Sequence, residues 1–190
     1  VGFDVGAGRN VIATNKVYAA NGFNGYCRGS GPIDVRCDQD VAETFATDQR
    51  TEPGELVVFI QEDREFTAVQ RSSKPYESAI VGVVSTSPGL VFDQGKTYLA
   101  GDDTNLITDK KTVVAMVGRV PAKFSLENGP IAVGDPLTTS SIPGVAMKAT
   151  KAGQIIGYAM QSSGASKDGK VLVWLQLGSY IPPATLDTLN

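Results

Sequence analysis

Ser140 and Ser141 precede Lys148 by eight and seven residues in "VGDPLTTSSIPGVAMKAT", in a chain of 190 residues that contains no histidine. A serine hydroxyl without histidine becomes a nucleophile only beside a neutral lysine, and lysine loses its proton near neutral pH only when burial lowers its pKa by several units. In "VAMKAT" strand alternation puts Lys148 in phase with Ala146 and out of phase with the larger Val145 and Met147, which directs it to solvent. Ser140, Ser141, Pro143 and Gly144 have the composition of a turn whose hydroxyls bond local backbone. No catalytic residue is therefore assigned, and the chain is read as a non-enzyme.

The remaining chemical groups are sparse. "GDDTN" offers Asp102, Asp103 and Asn105 as oxygen ligands for calcium, but it lacks the closing Glu and the regular ligand alternation of a calcium loop, and a solvated hairpin turn is the simpler reading. The acids Asp38, Asp40 and Glu43 are expected to pair with Arg36 or Arg50 across subunits, contributing under about 1 kcal/mol each. "CRGSGP" lacks the buried strand before it and the helix after it that would aim amides at a phosphate. Two cysteines without histidine do not complete a four-ligand zinc site, so neither metal nor cofactor is expected. Cys27 and Cys37 bracket "RGSGPIDVR", a Gly/Pro loop able to close into a disulfide worth about 2–3 kcal/mol; two buried free thiols are the alternative.

A formal charge of −3 without any Lys/Arg cluster excludes nucleic acid as the main partner. No apolar run reaches the roughly 18 residues that span a bilayer, so membrane insertion is not expected. Beginning at Val1 rather than Met, the sequence is read as a processed product or a fragment, with any signal peptide lying upstream.

The elements that must position these groups are almost all strands. Runs rich in Val, Ile, Tyr and Thr, such as "GELVVFI", "SAIVGVVST", "KTVVAMVGRV", "GQIIGYAM" and "KVLVWLQL", recur between Gly, Pro, Asn and Asp, which predicts an all-β fold with a barrel-like or sandwich-like body. The two strongest, Thr112 to Val120 and Lys170 to Leu177, alternate loosely, as strands covered on both faces do, and Trp174 within the second is expected to anchor the core. "DVAETFATD", Asp40 to Asp48, reads equally as a helical turn or a strand. A weak echo links "PGELVVF" and "AIVGVVSTSPG" to "VGDPLTT" and "IIGYAMQSSG": each has a Gly-acid turn at Gly54-Glu55 or Gly134-Asp135, then an Ile-x-Gly strand with Gly82 or Gly157 at a bend or bulge. Chance similarity between Gly-rich turns is the competing explanation, because the landmark spacings differ.

Residues 1–37 are rich in Gly, Asn and Ala and bury too little apolar surface to fold alone, so this segment is expected to pair with other chains through Val11, Ile12, Val17, Tyr18 and Phe23. Aromatic residues held between chains explain Tyr18, Phe23 and Tyr26 more simply than carbohydrate binding. The body is expected over 38–178, and 179–190 is read as an extended tail broken by Pro182-Pro183, whose Tyr180 and Ile181 either fray or dock on a partner.

"VYAANGFNGYC", "DVAETFATDQRTEPGELVVF", "KPYESAIVGVVSTSPGLVF", "VAMVGRVPAKFSLENGPIAVGDPLTTSSIPGVAMKAT", "GQIIGYAM" and "GKVLVWLQL" together resemble the β-rich distal domain of phage tail-fibre and appendage proteins. That family includes an autoproteolytic intramolecular-chaperone domain, with related versions in bacterial surface fibres. The resemblance runs from about Val17 to Leu177 and is most specific over Ala115 to Thr150 and Ile80 to Gly89. It implies a structural subunit or distal domain of an extracellular, cell-surface or virion fibre that self-associates as a trimer or filament, with "NKVYAANGF" as the last stalk repeat. The extracellular setting favours the Cys27–Cys37 bridge. The alternative it implies is an autoproteolytic maturation domain; no diagnostic cleavage motif aligns onto particular residues.

Overall fold

The computed structural model describes residues 39–60, 68–99, 106–166 and 168–183. Among these, the chain forms eleven strands and one short 3-10 turn, Ser163–Ala165. The strands are β1 (Gln39–Ala46), β2 (Leu56–Phe59), β3 (Val69–Arg71), β4 (Ile80–Val84), β5 (Leu90–Asp93) and β6 (Lys96–Leu99), followed by β7 (Lys111–Lys123), β8 (Pro136–Thr139), β9 (Ala146–Lys148), β10 (Gly153–Ala159) and β11 (Lys170–Tyr180). The fold is all-β. "DVAETFATD" is strand, because Val41, Thr44 and Phe45 lie in a ladder with β7 that leaves no turn to wind. The final strand continues past Gly178 to Tyr180 before Pro182, which has no N–H to extend the ladder.

All strands belong to one sheet, ordered β9-β8-β10-β11-β7-β1-β5-β6, with β4 also paired to β7 and β2 joining β4 to β3. Pairing is antiparallel except between β1 and β5. Since β7 pairs β1, β4 and β11, the sheet folds over itself around this 13-residue strand. Leu56, Val83, Ala115, Leu137, Ile156, Val173 and Leu175 meet inside it as the main core. A second cluster, Val57, Val69, Val81, Val84 and Val114, packs beneath Phe45 and Phe59, whose rings meet edge to face at 6.2 Å.

The sequence echo is a structural repeat. Gly54 and Gly134 both have φ near +90°, a conformation glycine adopts without strain. Each opens a turn with the same four hydrogen bonds. The Gly54 N–H donates to Val84 O at 2.8 Å and the Gly134 N–H to Ala159 O at 2.7 Å, and the return bonds run from Val84 N–H to Glu55 O and from Ala159 N–H to Asp135 O. Glu55 N–H donates to Glu52 O and Asp135 N–H to Ala132 O, each at 3.1 Å. In the reverse direction the acid side chain accepts from its own turn, Glu52 N–H to Glu55 Oε2 and Ala132 N–H to Asp135 Oδ2, both at 2.7 Å. The hairpins that follow are equivalent too: Val57 faces Arg71 on β3, and Leu137 faces Lys148 on β9.

Gly82 and Gly157 mark the closest approaches. A Cβ on Gly82 would lie 2.0 Å from Ala115 O, and one on Gly157 would lie 2.0 Å from Trp174 O. Each glycine faces a ladder that slips register, between Val57 and Val58 on β2 or between Ile155 and Gly157 on β10 itself.

Candidate functional site

The Ser/Lys region folds as a turn and an ion pair. Ser140 is buried, and its hydroxyl donates to Val145 O at 2.8 Å and lies 3.3 Å from Ile142 O. The Ser141 hydroxyl bonds the Glu127 carboxylate, which also accepts the Ser141 N–H at 3.1 Å. Lys148 Nζ sits 3.0 Å from Asp135 Oδ2. Both serines and the lysine are thus engaged by other groups. Lys148 occupies the position of Arg71, whose guanidinium lies 3.4 Å from Glu55 in the first unit. The basic residue at this hairpin position answers the acid of the Gly-acid turn twice in one chain. Sequence reasoning overlooked Glu127 and Asp135; the echoed Gly-acid turn was the available signal for Asp135.

The first unit carries the denser charge cluster. Glu55 is buried, and Lys123 Nζ lies 3.3 Å from it and 2.8 Å from Glu52. Burial pulls the Lys123 ammonium down, but Glu52 and Glu55 more than offset this and leave it raised. Its hydrogen bond to Glu52, helped by its charge, holds that carboxyl below the usual range.

The most perturbed acid of the described residues lies where the body begins. Asp40, at the start of β1, faces Gly118 across the ladder, one step before a bulge at Val41/Ala42. Its backbone carbonyl accepts the Gly89 N–H at 3.0 Å. The residue is only 2% exposed, and neither carboxylate oxygen meets a partner at hydrogen-bonding geometry; the buried Ser85 hydroxyl is equally unpartnered. Burial pushes the Asp40 carboxyl up to about 6, against smaller opposing influences from the Ser85 hydroxyl and the N–H groups of Asp40 and Gly89. A carboxyl held in this way populates its acid and base forms together near neutral pH, which suits proton transfer.

Arg50, expected to bridge to acids near Asp40, instead reaches Asp109 at 3.2 Å on the surface. Trp174 is not a core anchor: it is 44% exposed, and its indole N–H donates to Gln176 Oε1 at 3.2 Å. Alternation sends Val173 and Leu175 inward and turns the indole out. A groove of about 460 Å³ lined by Glu43, Thr44, Phe45, Gln94, Lys110 and Lys111 adjoins the pair Asp93–Lys111, 3.0 Å apart. There the Thr44 hydroxyl, then Lys111, hold the Asp93 carboxyl below its usual range, so Lys111 on the groove wall is already paired. Val11, Ile12, Val17, Tyr18 and Phe23, expected to mediate assembly, the pair Cys27 and Cys37, and Asp102, Asp103 and Asn105 lie outside the described residues. No group of His, Cys, Asp and Glu able to hold a metal occurs among the described residues, and no helix among them is long and apolar enough to cross a membrane.

No protein-family model matches the chain, and no curated protein matches it. Among solved structures it is similar to the pre-mature bacteriophage phi29 gene product 12, at 16% identity and a TM-score of 0.49. The match covers 77% of this chain and 24% of that one, so the chain spans about a quarter of the length of the protein it matches.

Proposed function

We propose that the chain is a structural subunit or distal domain of an extracellular fibre or virion appendage, self-associating through the segment before Gln39. The observation that supports this reading is the duplicated ion pair. Lys148–Asp135 and Arg71–Glu55 occupy equivalent places, so the lysine that follows Ser140 and Ser141 has a framework role that an arginine, always protonated and unable to act as a base, fills in the first unit. The two most specific blocks of the tail-fibre resemblance, Ile80 to Gly89 and Ala115 to Thr150, include β4, most of β7, β8 and β9, which contribute to the repeat and its core. Copies of the chain and a virion or cell-surface component are the partners this reading requires. Deleting Val1 to Ala20 is its test: the product should melt cooperatively by circular dichroism yet scatter light as a monomer. Retention of the native oligomer would place the interface in the body and defeat the reading.

Asp40 favours a second reading, autoproteolytic maturation at the junction of leading segment and body. With a carboxyl pushed up to about 6, Asp40 would in its ionised form take a proton from an attacking water and in its neutral form protonate the departing amine as the peptide C–N bond breaks. Intact-mass measurement on a longer precursor tests this. A new terminus near Val1 or Asp40 that forms without added protease, and is lost in Asp40→Asn, supports self-cleavage; an uncut precursor removes it.

A further inference from the structure

The two units present corresponding cross-strand rows, and only the first is covered throughout: in the second, Pro136 is buried while the residues beside it open to solvent. In the first unit the row runs Leu56, Val83, Ala115, Ala42 across β2, β4, β7 and β1. In the second it runs Pro136, Tyr158, Trp174, Arg119 across β8, β10, β11 and β7, and continues to Gln39 on β1. The glycine contacts fix the equivalence: Gly82 touches Ala115 O and Gly157 touches Trp174 O. All four residues of the first row are 0% exposed, whereas Tyr158 and Trp174 are 40% and 44% exposed. Val117 and Met160, on the same face, extend the open surface.

We propose that this face, centred on Trp174 and Tyr158, docks a second copy of the chain. Three observations select that occupant. The row ends at Gln39, the first described residue of β1, so the point at which β1 begins, 38 residues into the chain, lies beside this surface. If those segments pair between chains, as the assembly reading on which this inference rests requires, they bring a neighbouring body to this side. The residue types are also those concentrated at the centres of protein interfaces, with Trp, Tyr, Met and Arg present and no acid or lysine between Val117 and Arg119 or between Trp174 and Gln176. The indole is already oriented by Gln176, so docking would order little further. With the leading segments as tether, this face has the role of setting the orientation between bodies.

Trp174 is the chain's one tryptophan, so its fluorescence reads this face directly. The full chain should be followed across its assembly range by light scattering, with acrylamide quenching and emission wavelength recorded at each concentration. Assembly accompanied by a blue shift and a several-fold fall in quenching supports the proposal. The variants Tyr158→Glu and Val117→Glu, both at exposed positions, should keep the circular dichroism of the parent, weaken assembly by about tenfold or more, and restore quenching. Assembly that leaves Trp174 as quenchable as in the dissociated chain overturns the proposal while the assembly reading stands, and would leave the aromatic pair free for another ligand, such as the face of a sugar. A chain that remains monomeric at every concentration defeats the assembly reading and this inference together.

Discussion

The first unit, from Gly54 to Val84 with β7, and the second, from Gly134 to Ala159 with β11, are built on one plan and finished differently. Both use a Gly-acid turn, a basic residue on the hairpin partner and a glycine pressed against the next strand's carbonyl. In the first, β4 is buried along its whole length, and Glu55 is enclosed by Arg71 and Lys123. In the second, β10 and β11 turn Tyr158 and Trp174 outward, and Asp135 has Lys148 alone and more solvent. The shared features are those the backbone needs in order to fold, and the differences lie in what covers each unit. A repeat of this kind separates framework chemistry from surface that is free to evolve.

The largest expected effect tests the shared plan. Gly82→Ala and Gly157→Ala each drive a Cβ into a carbonyl oxygen 2.0 Å away, which should cost about 3–5 kcal/mol in urea unfolding. Gly164→Ala, where nothing lies within 4 Å of the added carbon, should leave the midpoint nearly unchanged. Tolerance of alanine at one of the two contact positions would break the equivalence of the units.

Next in size is Asp40, which lies on β1 between the positions Gln39 and Ala42 where the two rows end. Its folded pKa of about 6 lies above the ordinary 3.8. Its contribution to stability is therefore fully present below about pH 3.8 and is lost as pH rises through 6, a loss of about 3 kcal/mol. Asp40→Asn should recover about that amount at pH 7–8 and flatten the unfolding free energy between pH 4 and 6. A variant that follows the parent's pH dependence would show that the carboxyl is solvated or paired in solution.

A smaller effect sharpens the difference between the turns. Glu55→Gln should cost about 2 kcal/mol, since it removes the charge that faces two cations in a buried setting, while Asp135→Asn should cost about 1 kcal/mol. Equal losses, measured by chemical denaturation, would mean that the extra burial around Glu55 adds nothing. Smallest of all, Arg50→Ala should not move the thermal midpoint, because its pair with Asp109 is largely exposed on both sides.

The sequence by itself determined the fold class and most strand positions, and it offered the repeat beside chance similarity between Gly-rich turns. β-branched runs between Gly and Pro, and a Gly-acid turn followed by Ile-x-Gly, are local signals that act through backbone conformation and so survive in the linear order. The turn reading of Ser140 and Ser141 was legible for the same reason. Only the tertiary structure decided which side of each strand is covered. Alternation marks two faces but not which of them another strand will roof, so Trp174 looked like a core residue until the register set it beside Arg119 on the open side. The same limit hid Asp40: its charge suggested a surface partner, whereas folding buries its carboxyl near Ser85 and Gly89, distant in the chain, and leaves it unpaired among the described residues. Burial is a sum over neighbours brought together by folding, and no short stretch of sequence contains that sum.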